Sequence, residues 1–149
     1  LVFKFVKHKS LYPFMPFKYN FNKRRVTFTK TLELLNERKA KVLVETGTSR
    51  KGLKATRGDG AATIVFGKWA SENGGKLSSV DISEESVSES KSEVKNQGLD
   101  DVVTVHLSDS IAFLSEFKES VDFLYLLGCF QTNVIYNSIL FISFSRIPT

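Results

Sequence analysis

The chain has 149 residues, 42% of them hydrophobic and 25% charged, with one cysteine (Cys129), two histidines and a formal charge of +5. That length and composition describe one globular domain at most, with enough apolar content to build a core without covalent staples. A lone cysteine excludes a disulfide framework and a thiolate-rich zinc centre, and fits a reducing, cytoplasmic setting.

The charge is unevenly placed. Residues 1–58 carry 15 Lys/Arg against Glu33, Glu37 and Glu45, whereas the remainder carries six against 13 acidic residues. After Asp122 the only charged side chain is Arg146. Met15 is the only methionine, so the chain reads as a trimmed or partial product.

Residues 1–24 alternate rings (Phe3, Phe5, Tyr12, Phe14, Phe17, Tyr19, Phe21) with cations, which breaks any signal-peptide core. Pro13 and Pro16 argue against a continuous helix. Such an arm can engage nucleic acid, cations on phosphates and rings on bases, or it can pack its rings on the domain and leave its lysines solvated.

A helix is predicted over residues 25–39 from Leu32, Leu34 and Leu35 set among charges. Val42 to Val44 form a short apolar strand that ends in Glu45 and a Gly/Ser/Thr/Lys loop. A helix over 61–73 buries Ile64, Val65, Trp69 and Ala70 and stops at Gly74-Gly75. Leu77 to Ile82 form a second strand carrying Asp81, and Ser83 caps a helix that reaches Gln97. That helix is rich in Ser86, Ser88, Ser90 and Ser92, with only Val87 and Val94 as large apolar residues, and is expected to lie loosely at the surface. Val102 to Leu107, a short helix from Ile111 to Phe117, and a strand from Val121 to Leu127 complete the order.

Alternating strands and helices predict an α/β fold, a doubly wound, Rossmann-like sheet of four parallel strands. Ligands of such sheets bind at the carboxyl ends of the strands, where strand order reverses. Three such ends here carry polar groups suited to a nucleoside. They are Glu45-Thr46-Gly47-Thr48-Ser49, Asp81, and Ser108-Asp109-Ser110. A carboxylate at the second end can accept both hydroxyls of a ribose. Each has an ordinary alternative: Gly47 as a turn, Asp81 and Asp109 as helix caps. No Gly-x-Gly-x-x-Gly and no Gly-Lys-Ser/Thr phosphate loop occurs, which disfavours a nicotinamide oxidoreductase and a nucleoside-triphosphate hydrolase.

The ordered set Val44-Glu45-Thr46-Gly47-Thr48-Ser49-Arg50, Gly58-Asp59-Gly60-Ala61-Ala62-Thr63, Ser79-Val80-Asp81-Ile82, Ser108-Asp109-Ser110 and Asp122-Phe123-Leu124-Tyr125-Leu126 resembles class I S-adenosylmethionine-dependent methyltransferases, in their small-molecule O-methyltransferase-like branch. The resemblance implies S-adenosyl-L-methionine as cofactor and a small-molecule methyl acceptor. It puts Glu45, Thr46, Gly47 and Ser49 along the methionine part, Asp81 on the ribose, Ile82 against the adenine, and Asp109 with Ser110 at the adenine edge.

The family strand normally continues into Asp-Ser, where this chain has Leu127-Gly128-Cys129-Phe130, so no acid is left there to hold a metal. His106 reads as a core residue. The expected organisation is an arm (1–24), a cofactor-binding part (25–127) and a non-family apolar tail (128–149), whose run from Asn133 to Phe144 is too short to span a membrane and fits an antiparallel edge strand or, in competition, a helix laid over that edge. The function expected is methyl transfer to an oxygen with an incomplete active site and no assigned catalytic residue. The alternative is a non-enzymatic module that uses its basic arm on nucleic acid.

Overall fold

The computed structural model describes residues 11, 13–57 and 61–126. Gly58, Asp59 and Gly60, the first ten residues, Tyr12 and the predicted tail strand lie outside them.

Helix α1 (Arg24–Arg38) leads into β1 (Val42–Thr46), followed by a short 3-10 turn (Gly52–Ala55), α2 (Ala62–Asn73), β2 (Lys76–Asp81), α3 (Glu84–Asn96), β3 (Val103–Leu107), α4 (Ser110–Glu116) and β4 (Phe123–Leu126). The four strands form one sheet in the order β3-β2-β1-β4, and every pairing is parallel. The chain moves outward from β1 to β3, then crosses back to add β4 on the other side of β1. The reversal of strand order therefore falls between β1 and β4, at the end of the Glu45 strand.

Register explains the packing. Side chains alternate between faces along a strand, and Leu43, Glu45, Leu77, Ser79, Val103, Val105, Phe123 and Tyr125 share the face covered by α2. Phe66 of α2 is the centre of that core, with edge-on rings at 5.6 Å to Phe28 of α1, 5.2 Å to Phe123 and 5.3 Å to Tyr125. The pairing geometry is the one that quadrupolar rings prefer. Trp69, also buried, donates its indole N–H to Asn36 Oδ1 at 2.9 Å and joins α2 to α1.

On the opposite face, α4 reaches the sheet through Phe113, whose ring lies 4.8 Å from His106. Burial of His106 holds its imidazole below the usual range, with Lys91 adding to the effect. It is half-buried against the ring, a looser setting than a core position.

Residues 13–22 add directly to the core. Phe14, Met15 and Phe21 are buried, while Phe17 stays 63% exposed. Arg25 ties this segment down by donating to the carbonyls of Met15 (2.7 Å), Tyr19 (2.9 Å) and Pro16 (3.4 Å), and its guanidinium lies over the rings of Phe17 and Phe21. Two of the rings that base stacking would need are thus already committed to protein.

Helix α3 differs from expectation. It is no loose surface helix: Ser86, Val87, Ser90, Glu93 and Val94 form one buried stripe at helical spacing. The small serine side chains let neighbouring segments come close, and the helix is capped as predicted, Ser83 Oγ accepting from Ser86 N–H at 3.2 Å.

Candidate cofactor-binding site

Each strand-end motif is built by local geometry. Thr46 ends β1, and Gly47 then turns with φ of 81°, a conformation that side chains disfavour. Its N–H donates to the Val80 carbonyl at 2.8 Å, so the turn stays fastened to β2. The next N–H, from Thr48, donates to Asp81 Oδ2 at 3.1 Å. Asp81 Oδ1 accepts from Ser83 N–H at 2.9 Å. Asp81 thus organises both its own helix start and the turn after β1, and remains half-exposed.

Glu45 lies beneath this turn, 0% exposed, its Oε2 accepting from Thr63 Oγ1 at 2.6 Å and from Ser79 Oγ at 2.7 Å. Hydroxyl donors are what a buried carboxylate requires. Thr63 also accepts from Ser49 N–H at 2.9 Å. Thr48 Oγ1 lies 2.6 Å from Ser90 Oγ and 3.3 Å from Thr63 Oγ1. Glu45, Thr46, Thr48 and Ser49 are all buried.

Asp109 caps α4, its Oδ1 accepting from Ile111 N–H and Ala112 N–H, both at 3.0 Å. Asp109 and Ser110 stand at the end of β3, which is held to β2 by Ser108 N–H on the Asp81 carbonyl at 3.0 Å. Around these ends three large apolar side chains face outward, Ile82 (73% exposed), Leu107 (49%) and Ile111 (77%).

The structure brings the Glu45–Ser49 turn and Asp81 into one hydrogen-bonded unit at the strand-order reversal, with Ile82 beside it and the Asp109–Ser110 cap at the next strand end. Sequence reasoning puts Thr48 in the strand-end motif without a role of its own, and does not place Thr63, Ser79 and Ser90 in that unit. The available signal was the spacing of Ser86 and Ser90 on a helix with few apolar residues. Among the described residues, no group of three or more His, Cys, Asp or Glu side chains is gathered as a metal would need, and no helix is long and apolar enough to cross a membrane.

A parallel sheet whose strand order reverses beside an acid–Gly turn defines a doubly wound α/β protein, a class that binds its ligands at the carboxyl ends of the strands. Within it, the sequence profile described as a methyltransferase domain matches residues 57–141, more than half of the chain. The chain belongs to this methyltransferase-domain family. The match begins after the Glu45 turn and ends within the apolar tail.

Among solved structures, the chain resembles the O-methyltransferase from Bacillus cereus in complex with SAH (S-adenosylhomocysteine), at 21% identity and a TM-score of 0.52, over 68% of this chain and 43% of that one. It also resembles the SAH-bound methyltransferase PaMTH1 of Podospora anserina, at 14% identity and a TM-score of 0.57, over 71% of this chain and 42% of that one. The chain thus spans less than half the length of either. No curated protein matches it.

Proposed function

We propose that the chain is the cofactor-holding part of a class I S-adenosylmethionine-dependent methyltransferase that acts on an oxygen of a small molecule in the cytoplasm. The observation that carries this reading is the union of Glu45 and Asp81, two strand-end carboxylates, through the Thr46–Ser49 turn.

The residues fit the cofactor. Each Asp81 oxygen accepts one backbone N–H, and an ionised carboxylate has about four acceptor positions, so both ribose hydroxyls can be received. Ile82 offers an open apolar surface to the adenine. Asp109 uses Oδ1 on its cap, which leaves Oδ2 for the adenine edge beside Ser110. Gly47 has no side chain to obstruct the methionine part, which Thr46 and Ser49 flank. The negative charge of Glu45 beneath the turn favours the cationic end of the ligand. When bound, S-adenosylmethionine supplies an electrophilic methyl on sulfur; the chain's own work is to hold and orient it. An oxygen acceptor is supported by the likeness to an O-methyltransferase.

The test is calorimetric titration of the full chain with S-adenosylhomocysteine. Wild type is expected to bind, and Asp81→Ala to weaken binding on the order of a hundredfold, as loss of two charge-assisted hydrogen bonds implies. Absence of binding by wild type at millimolar ligand overturns the reading.

A further inference from the structure

We infer that Thr48 is a positioning residue whose hydroxyl sets the grip on the amino-acid end of the ligand, through a directed chain of hydroxyls from Ser90 to Glu45; this rests on the cofactor reading above. Thr48 is buried and faces three ways. Its N–H donates to Asp81 Oδ2 at 3.1 Å, and its Oγ1 lies 2.6 Å from Ser90 Oγ and 3.3 Å from Thr63 Oγ1.

A hydroxyl has one proton to donate. Thr63 gives its proton to Glu45 Oε2 at 2.6 Å, so its contact with Thr48 is a hydrogen bond only if Thr48 donates. The Thr48 proton is then spent, and Ser90 must donate to Thr48. One arrangement satisfies every contact: Ser90 to Thr48 to Thr63 to Glu45. All four side chains are buried, where such bonds are strong and hydroxyls cannot turn to water. The buried serine of α3 thus helps to orient the carboxylate of β1. It also explains why α3 carries a polar side chain at an innermost position.

The two grips on Thr48 are separable. Removing Oγ1 breaks the chain to Glu45, whereas the Thr48 N–H on Asp81 is backbone and is retained in Thr48→Val. Loss of the hydroxyl should therefore weaken recognition of the amino-acid end and spare the nucleoside end.

The experiment compares S-adenosylhomocysteine with 5′-methylthioadenosine, which lacks the amino-acid group, on the folded full chain. With Thr48→Val, affinity for S-adenosylhomocysteine is expected to fall about tenfold, the equivalent of one buried hydrogen bond, while that for methylthioadenosine stays within about twofold. Thr48→Ser should restore both. Should Thr48→Val fail to fold, Ser90→Ala makes the same comparison at the far end of the chain and is expected to act in the same direction. An equal fall for both ligands, or no change for either, overturns the inference while the cofactor reading stands. Wild type that binds neither ligand overturns both.

Discussion

Asp122 and Val42 hold each other twice. The Val42 N–H donates to Asp122 Oδ2 at 3.0 Å, and the Asp122 N–H donates to the Val42 carbonyl at 2.9 Å. The same Oδ2 accepts from Lys41 N–H at 2.8 Å. These bonds join the start of β1 to the segment entering β4, the two strands between which the order reverses. Removing the carboxylate strips an acceptor from two backbone donors. Asp122→Ala is therefore expected to destabilise the fold by about 1–3 kcal/mol, and Asp122→Asn, which keeps an acceptor oxygen, by less. Urea unfolding of the two variants measures the difference.

Tyr125 stands beside Glu45 in the β1–β4 register. Burial, and then the charge of Glu45, push its phenol up to about 12. In the unfolded chain the same phenol ionises near 10. Between these values the unfolded state loses the proton that the folded state keeps, so stability falls as pH rises. The loss is on the order of 2 kcal/mol across that window. Comparing urea midpoints of wild type and Tyr125→Phe at pH 9 and pH 11.5 isolates it, with the variant expected to lose less.

Gly52 opens the 3-10 turn with φ of +47°, and a Cβ there would lie 2.6 Å from Glu93 Cγ on α3. A side chain would meet both an unfavourable backbone conformation and a neighbour already in place. Gly52→Ala is expected to cost about 1–2 kcal/mol. If displacement of Glu93 dominates, Glu93→Ala should recover part of that loss in thermal unfolding of the double variant.

Much of this fold was legible in the chain itself, because strand and helix periodicities leave clear marks. Val42 to Val44 could scarcely be anything but a buried strand, and Ser83 and Asp109 serve as the caps their positions suggested. Helix α3 was misread because serine is both a weak helix former and a small residue. Propensity reflects the first property, and packing uses the second. Glu45 was recognisable as a strand-end acid. That it lies beneath the turn, held by Thr63 and Ser79, depends on side chains 18 and 34 residues away.

The sequence alone determined a parallel α/β sheet with acids near its strand ends, since hydrophobic periodicity and chain order are local properties read along the chain. Its modest charge of +5 concealed a basic front and an acidic back, and composition held no more than that. Only the tertiary structure decided that β4 lies beside β1, that Phe14 and Phe21 sink into the core, and that Ser90 meets Thr48. Those pairings are not local in the chain: apolar rings gain by leaving water, and hydroxyls are buried only where they hydrogen-bond one another.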